Sequence, residues 1–354
     1  MELSFWEQKL PFEYPFTISN GRTKTHQHSL MVRLSLGNWE GFGEAPAIVY
    51  YNVTVEGMME QLEKHRKVIE KFALIDPERF WHFLHHLFPN DPFLVCALDM
   101  AGWDLWGQMK KQPLHQLWNT TWASEVTDQN TLPPICDYTL GIDPIEKMVQ
   151  KMEAHPWPIY KVKVGTDYDV EMITALRKHT DKPIRVDANA GWTTEEALLK
   201  IPALAALGVE LVEQPLAKDN WDGMEQLKKQ SVLPLFADES CVFEKDVAVC
   251  ANYFHGINIK LTKCSGLTPA LRMIKEARTL GLKVMMGSMN ESVIGSAAIA
   301  QFLPQLDYVD MDGPLLMTEL NGVGLNFSFE NKDGKIEPLV RPGLGVQYRM
   351  PFAK

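Results

Sequence analysis

The chain has 354 residues, too many for one typical hydrophobic core, so two domains or a barrel with an appendage are expected. Hydrophobic residues at 45% and charged residues at 23% suit an ordinary soluble globular protein. The formal net charge of −10 offers no attraction to a nucleic-acid backbone or an anionic membrane, which excludes both as general partners.

The opening stretch, "MELSFWEQKLPFEYPF", lacks a basic segment followed by an apolar one, and no later run approaches about 18 unbroken apolar residues. A cytoplasmic location is therefore expected. The cysteines are Cys96, Cys136, Cys241, Cys250 and Cys264, odd in number and without a CxxC pair. That pattern predicts reduced, mostly buried thiols rather than a disulfide frame or a zinc site.

The first ~45 residues read as strands and turns, with apolar and polar positions alternating in "HSLMVRLSLGNWEGFGEAP". From about residue 55 to 118 the spacing turns helical, through "VEGMMEQLEKHRKVIEKFA" and "PFLVCALDMAGWDLWGQMKKQPLHQLW". Residues 1–125 are thus expected to form an α+β unit. Beyond ~130 come eight short β-rich runs, "PICDYTLG", "IYKVKVG", "PIRVDANAG", "VELVEQP", "PLFADES", "GINIKLTK", "KVMMGSMN" and "LDYVDMDG". Amphipathic helical stretches such as "LTPALRMIKEARTLG" separate them and end in Gly.

A polar residue recurs near each run's end: Thr139, Lys163, Asp187, Glu213, Asp238, Lys260, Ser288 and Asp312, at intervals of 22 to 28 residues. One strand, one helix and two loops fill about that much chain. The spacing predicts a (β/α) barrel over residues 126–321, with its active site at the C-terminal ends of the strands. The tail, 322–354, is turn-rich and is expected to pack back on the first unit.

Within "YKVKVG", Lys161 and Lys163 alternate and so share one face of a strand. In a parallel sheet both faces are normally covered, so two lysines there need a reason. The next three strands supply one carboxylate each, Asp187, Glu213 and Asp238, and the strand after them brings Lys260. An all-oxygen donor set suits a hard divalent cation, most naturally Mg²⁺, and no His or Cys at a strand end points to zinc. Asn189 and Glu239 adjoin these carboxylates and are candidates to orient them. A metal flanked by lysines suits proton abstraction beside a carboxylate, because a divalent ion stabilises the charge that develops on the enediolate. A lysine acts as base when its pKa falls towards neutrality, which neighbouring ammonium groups and the metal favour. Lysines on opposite sides allow one to remove a proton and the other to return it, inverting a stereocentre.

"KVKVG", "VDANAGW", "VEQP", "ADES" and "NIKLTKCSG", with "ALDMAGWDLWGQMKKQPL", together resemble the muconate-cycloisomerase subgroup of the enolase superfamily over nearly the whole chain. The resemblance implies an N-terminal α+β capping domain over a (β/α)₇β TIM-like barrel, and one Mg²⁺ per subunit bound by Asp187, Glu213 and Asp238. It implies Lys163 and Lys260 as opposed acid/bases, and Lys161 as a positive charge for the substrate carboxylate. Lys263 competes with Lys260, which is preferred because "NIKL" sets it inside the strand. "KCSGL" departs from many relatives, which carry two consecutive glycines there; Gly266 is kept. A homo-oligomer is expected.

Asp310 and Asp312 alternate in "DMDGPLL", and two anions at the mouth invite a cation such as the free α-ammonium of a peptide. The pattern is similar to the dipeptide epimerases that act on Ala-Glu and related dipeptides. It implies Ser288 and Asn290 as substrate-lining residues, Thr139 at the first strand's end, and Arg22 at the position that binds a glutamate side chain. Arg22 beside Lys24, His26 and His28 reads equally as a solvated basic loop. The expected activity is Mg²⁺-dependent epimerisation of Ala-X dipeptides by two-base 1,1-proton transfer. The alternatives are an o-succinylbenzoate synthase or N-acylamino-acid racemase of the same subgroup. A more distant one is a barrel aldolase with a Schiff base on Lys163 or Lys260, chemistry that does not need the three carboxylates.

Overall fold

Alternation in the first 46 residues becomes three antiparallel strands in a computed structural model that describes residues 1–17, 23–121, 133–318, 322–323, 334 and 340–348. These are β1 (Glu2–Thr17), β2 (Thr23–Leu36) and β3 (Trp39–Pro46), ordered β1-β2-β3. β2 and β3 join through Gly37 and Asn38, where Gly37 takes φ 61°, the left-handed backbone that a two-residue hairpin needs. One face of the sheet buries Leu3, Leu30, Val32, Leu34 and Ala45 against the helices that follow.

Those helices are α1 (Val55–Glu70), α2 (Pro77–Leu87), α3 (Pro92–Lys110) and α4 (Leu114–Thr121). Local chemistry starts the first two: Thr54 and Asp76 accept from the backbone N–H groups of Gly57 and Arg79, at 3.1 and 2.9 Å. α3 is buried on almost every side, since it packs on β3 along one flank and against the barrel along the other.

The eight β-rich runs form eight parallel strands in chain order. They are β4 (Tyr138–Leu140), β5 (Tyr160–Lys163), β6 (Ile184–Asp187), β7 (Val209–Glu213), β8 (Leu235–Ala237), β9 (Gly256–Ile259), β10 (Lys283–Gly287) and β11 (Tyr308–Asp310). A parallel bridge between Cys136 and Val309 connects the two edges into a barrel. Helices α5 (Ile145–Ala154), α6 (Asp169–Arg177), α7 (Thr194–Ala206), α8 (Trp221–Gln230) and α9 (Glu244–Tyr253) alternate with the strands. A short α10 (Leu261–Cys264) precedes α11 (Leu267–Thr279), and α12 (Val293–Ala300) follows β10. The fold is therefore an eight-stranded parallel barrel with a separate three-stranded antiparallel sheet and its helices.

Residues 125–126, the expected boundary between the two units, and most of the tail lie outside the described residues, as does Arg22. Of the described tail, Leu344 is buried and donates its N–H to Asp104 of α3 at 2.8 Å, and the Tyr348 ring lies 5.4 Å from that of Phe42. All five cysteines are free and buried. Among the described residues no helix is long and apolar enough to cross a membrane.

Candidate functional site

The register of the parallel strands explains why scattered charges converge. Lys163 pairs across the sheet with Asp187, and Asp187 with Glu213, so three interior side chains share one layer near the strands' C-terminal ends. Below them Thr139 pairs with Lys161 and Lys161 with Arg185, forming a second interior layer. Leu211, Phe236 and Met285, with Tyr308 packed on them, close the barrel floor. Bulk beneath and charge above is the arrangement of a one-ended site.

Asp187, Glu213 and Asp238 each present a carboxylate oxygen within 4.8 Å of the others, and all three residues are buried. The set is hard and all-oxygen, which fits Mg²⁺ and offers nothing to a softer ion. The charge balance agrees. Six buried or half-buried carboxylates (Asp187, Glu213, Asp238, Glu239, Asp310 and Asp312) face four buried ammonium groups (Lys161, Lys163, Lys260 and Lys263), leaving an excess of two negative charges. Burial, then the Asp187 carboxylate, pushes Glu213 up to about 7, and burial with Asp238 pushes Glu239 up to about 8. A divalent cation at this point relieves that repulsion.

The lysines are already engaged. The Nζ of Lys163 lies 2.6 Å from Asp187 Oδ2, and the Nζ of Lys260 lies 2.8 Å from Asp238 Oδ2. Burial alone would lower the Lys260 pKa, but Asp238 and Glu213 outweigh it and raise it above the ordinary lysine value. The neighbouring Lys161 ammonium acts in the expected lowering sense, but less strongly than Asp238 and Glu213 raise it. Lys161 is only 2% exposed and touches Asp310 at 2.6 Å, Glu213 at 2.7 Å and Asp187 at 3.3 Å. Burial opposes its charge, yet those three carboxylates hold it firmly protonated. It lies beneath the mouth rather than in it.

Several expected positions need correction. Lys260 is not inside β9 but one residue past Ile259, where it forms the N-cap of α10. Lys263, in α10, donates to Asp238 Oδ1 at 2.5 Å, to the Cys241 carbonyl at 3.0 Å and to the Asp238 carbonyl. Its ammonium is thus held beneath the Asp238 carboxylate and buried, while Lys260 meets the other oxygen of the same group. Thr139 is the middle residue of β4, not its end, and its backbone N–H donates to Asp312 Oδ2 at 2.6 Å. Asp310 and Asp312 do not stand free as an anionic pair. Lys161 pairs with Asp310 and, against burial, holds it down to about 2; burial and Asp310 push Asp312 up to about 7. Ser288 donates its N–H to the Asp310 carbonyl at 2.8 Å, and Asn290 takes left-handed backbone at φ 64°.

Two interior residues escaped sequence reasoning. Asn258 donates to Glu213 Oε1 at 2.7 Å, in space left by Gly287, where a Cβ would come within 2.7 Å of the Asn258 amide. Arg185 reaches Asp137 at 2.8 Å in the layer below the site. The "NIK" in "GINIKLTK" carried the signal for Asn258, since it shares an inward face with Lys260. As expected, Asn189 lies beside the carboxylates: its N–H donates to Asp187 Oδ1 at 2.9 Å and its amide to Glu239 at 3.3 Å.

Comparison with known proteins agrees with this geometry. The enolase C-terminal domain-like family matches residues 144–351. An L-Ala-D/L-amino acid epimerase from Flavobacterium johnsoniae is 48% identical over 346 residues, covering 98% of this chain and 99% of that protein. An L-Ala-D/L-Glu epimerase from Bacteroides thetaiotaomicron is 36% identical over 98% of this chain and 88% of its own length. The structure of a dipeptide epimerase from Enterococcus faecalis V583, complexed with Mg and the dipeptide L-Leu-L-Tyr, superposes with a TM-score of 0.88. It is 28% identical and covers 98% of this chain and 99% of its own.

Proposed function

The chain belongs to the enolase superfamily, and from that premise we propose that it is a Mg²⁺-dependent dipeptide epimerase. It inverts an α-carbon of Ala-X dipeptides by 1,1-proton transfer through an enediolate. The observation that carries this reading is topological. Lys163 ends β5 and Lys260 follows β9, four strands apart in an eight-stranded barrel and so on opposite walls, with the three carboxylates on the strands between.

Asp187, Glu213 and Asp238 would hold Mg²⁺, which would supply positive charge towards the substrate carboxylate. The chain's own residues do the rest. A substrate α-carbon between the two walls presents one face to each lysine, so whichever is neutral takes the proton and the other, still an ammonium, returns one. Lys161 remains protonated through the cycle and adds fixed positive charge beneath the site. Asn258 orients Glu213. Asp310 and Asp312 receive the free α-ammonium of the dipeptide, while Ser288 and Asn290 line the same side with Thr139. Arg22 as the contact for an acidic second residue is carried by the sequence resemblance.

The finer assignments belong to the same reading. One Mg²⁺ binds per subunit, and the single carboxylate triad among the described residues supports that count. Residues 1–125 with the tail 322–354 form one domain and 126–321 the other, supported by the separation of the three-stranded sheet from the eight-stranded one. The protein works in the cytoplasm as a homo-oligomer, and its five unpaired thiols suit a reducing compartment.

Solvent exchange tests the mechanism. In D₂O, Lys163→Ala should still exchange the α-proton of one epimer only, Lys260→Ala that of the other, and neither should epimerise. Epimerisation near the wild-type rate in either variant would refute two-base catalysis.

A further inference from the structure

The helix written "ALDMAGWDLWG" carries a carboxylate that the proposed chemistry does not use. Asp99 of α3 is wholly buried, and it reaches out of its own unit to the barrel. Its Oδ2 accepts the backbone N–H of Thr268 at 3.0 Å, and its Oδ1 accepts the Thr268 hydroxyl at 2.8 Å. Thr268 is the second residue of α11, whose N-cap is Gly266 and so has no side chain of its own to satisfy the helix's first N–H groups. Asp99 caps α11 from outside. Gly266 makes the approach possible: it takes φ 127°, and a Cβ there would lie 2.3 Å from Asp99 Oδ2.

Two tryptophans of the same helical layer brace the junction. Trp103 Nε1 donates to the Thr268 hydroxyl at 2.9 Å, and Trp81 Nε1 donates to the Ser265 carbonyl at 3.0 Å. Ser265 stands where "KCSGL" departs from a double glycine, in left-handed backbone at φ 71°. What these contacts hold is short and stiff. The Cys264 N–H donates to the Lys260 carbonyl at 3.1 Å and the Gly266 N–H to the Leu261 carbonyl at 2.8 Å, so residues 260–266 form one closed turn. Its front residue is Lys260 and its rear rests on Asp99. Ile259 fixes the front end in β9, and the α3 carboxyl group is the polar contact at the back.

We infer that Asp99 is a positioning residue for Lys260, so that the N-terminal unit sets the aim of one of the two acid/bases while leaving the other untouched. Lys163 ends β5, on the opposite wall, and no residue of α3 hydrogen-bonds to it among the described residues. The inference rests on the two-base reading above, in which Lys260 works one face of the α-carbon.

The test isolates each face. With Lys163→Ala as background, α-proton exchange in D₂O reports Lys260 alone; with Lys260→Ala as background, it reports Lys163 alone. Adding Asp99→Ala should slow the first exchange at least tenfold, change the second less than twofold, and leave Mg²⁺ affinity unaltered. Asp99→Asn keeps an acceptor for the Thr268 N–H and should restore most of the rate. If Asp99→Ala does not fold, Thr268→Val removes the hydroxyl partner and Trp81→Phe the Ser265 contact, and each should show the same one-sided loss in smaller measure. Equal slowing on both faces would reduce Asp99 to general support of the fold and overturn the inference, as would no slowing on either. If Lys163→Ala by itself shows no preference between epimers, the two-base reading has failed and this inference falls with it.

Discussion

Replacing Lys161 with Met tests whether its ammonium and the metal neutralise the same oxygens. Lys161 lies within 3.3 Å of three buried carboxylates, Asp310, Glu213 and Asp187. Met keeps the length and apolar stem but leaves those carboxylates without their cation. Breaking a buried ion pair by removing one partner costs about 3–5 kcal/mol, and three partners argue for the upper half of that range. For 354 residues the unfolding entropy is roughly 0.7 kcal/mol/K, so the melting midpoint should drop by about 5–7 °C in EDTA. Mg²⁺ at a hundred times its Kd stabilises a folded protein by about 2.7 kcal/mol. If the ion and Lys161 share oxygens, Mg²⁺ should recover more of the midpoint in Lys161→Met than it adds to the wild type. Thermal melts of both proteins, with EDTA and with saturating Mg²⁺, measure all four values. Equal midpoints in EDTA, or equal increments on adding Mg²⁺, would refute the reasoning.

Two further outcomes are expected. Burial pushes Asp104 up to about 6, Asp99 up to about 7 and Glu291 up to about 8, so the folded protein keeps protons that the unfolded chain releases near 4. Raised carboxyl pKa values give stability that is present at low pH and lost as pH rises through the folded values. With Mg²⁺ saturating, the melting midpoint should therefore fall between pH 5 and 8.5, and a flat or rising profile would contradict the burial argument. For the substrate class, acetylating the α-amino group should cost most of the activity, because a charge-assisted hydrogen bond contributes on the order of 1.5–3 kcal/mol, or roughly ten- to a hundredfold. Asp312→Asn should lose a similar factor on free dipeptides and little more on acetylated ones, since both changes remove one interaction; a preference for acetylated amino acids would favour a racemase instead.

The barrel was legible because its strands and helices alternate at near-constant spacing, and because inward residues at strand ends are polar while the strands themselves are apolar. The carboxylate triad followed from that spacing alone. What remained hidden needed distances across the barrel. Nothing local in "NIKLTK" tells that Lys263 turns back under Asp238 whereas Lys260 points at its other oxygen; the four-residue α10 decides it. The alternation of Asp310 and Asp312 drew attention to both carboxylates after the last strand, but the sequence could not show that Lys161, contributed by β5, reaches Asp310. Thr139 was placed one residue too far along because β4 is only three residues long. Asp99 was hidden for a different reason: within a helix it looks like one polar residue in an apolar run, and its partner lies 169 positions away.

The order Lys-Asp-Glu-Asp-Lys along five consecutive strands carries a stereochemical argument of its own. A second lysine on the far wall is a buried ammonium, costly unless it has partners and a task, and inversion of a stereocentre supplies that task. Here the second lysine is kept, buried and paired to a carboxylate of the triad as closely as the first, at 2.8 against 2.6 Å. The two are also supported differently. Lys163 sits at the end of a regular strand, while Lys260 sits on a closed turn braced from α3. A site that inverts a centre with two bases must bring both lysines, one neutral and one an ammonium, to one carbon from opposite sides. Strand register sets Lys163, whereas Lys260, one residue beyond β9, depends also on the stiff turn that follows it and on the Asp99 contact behind that turn.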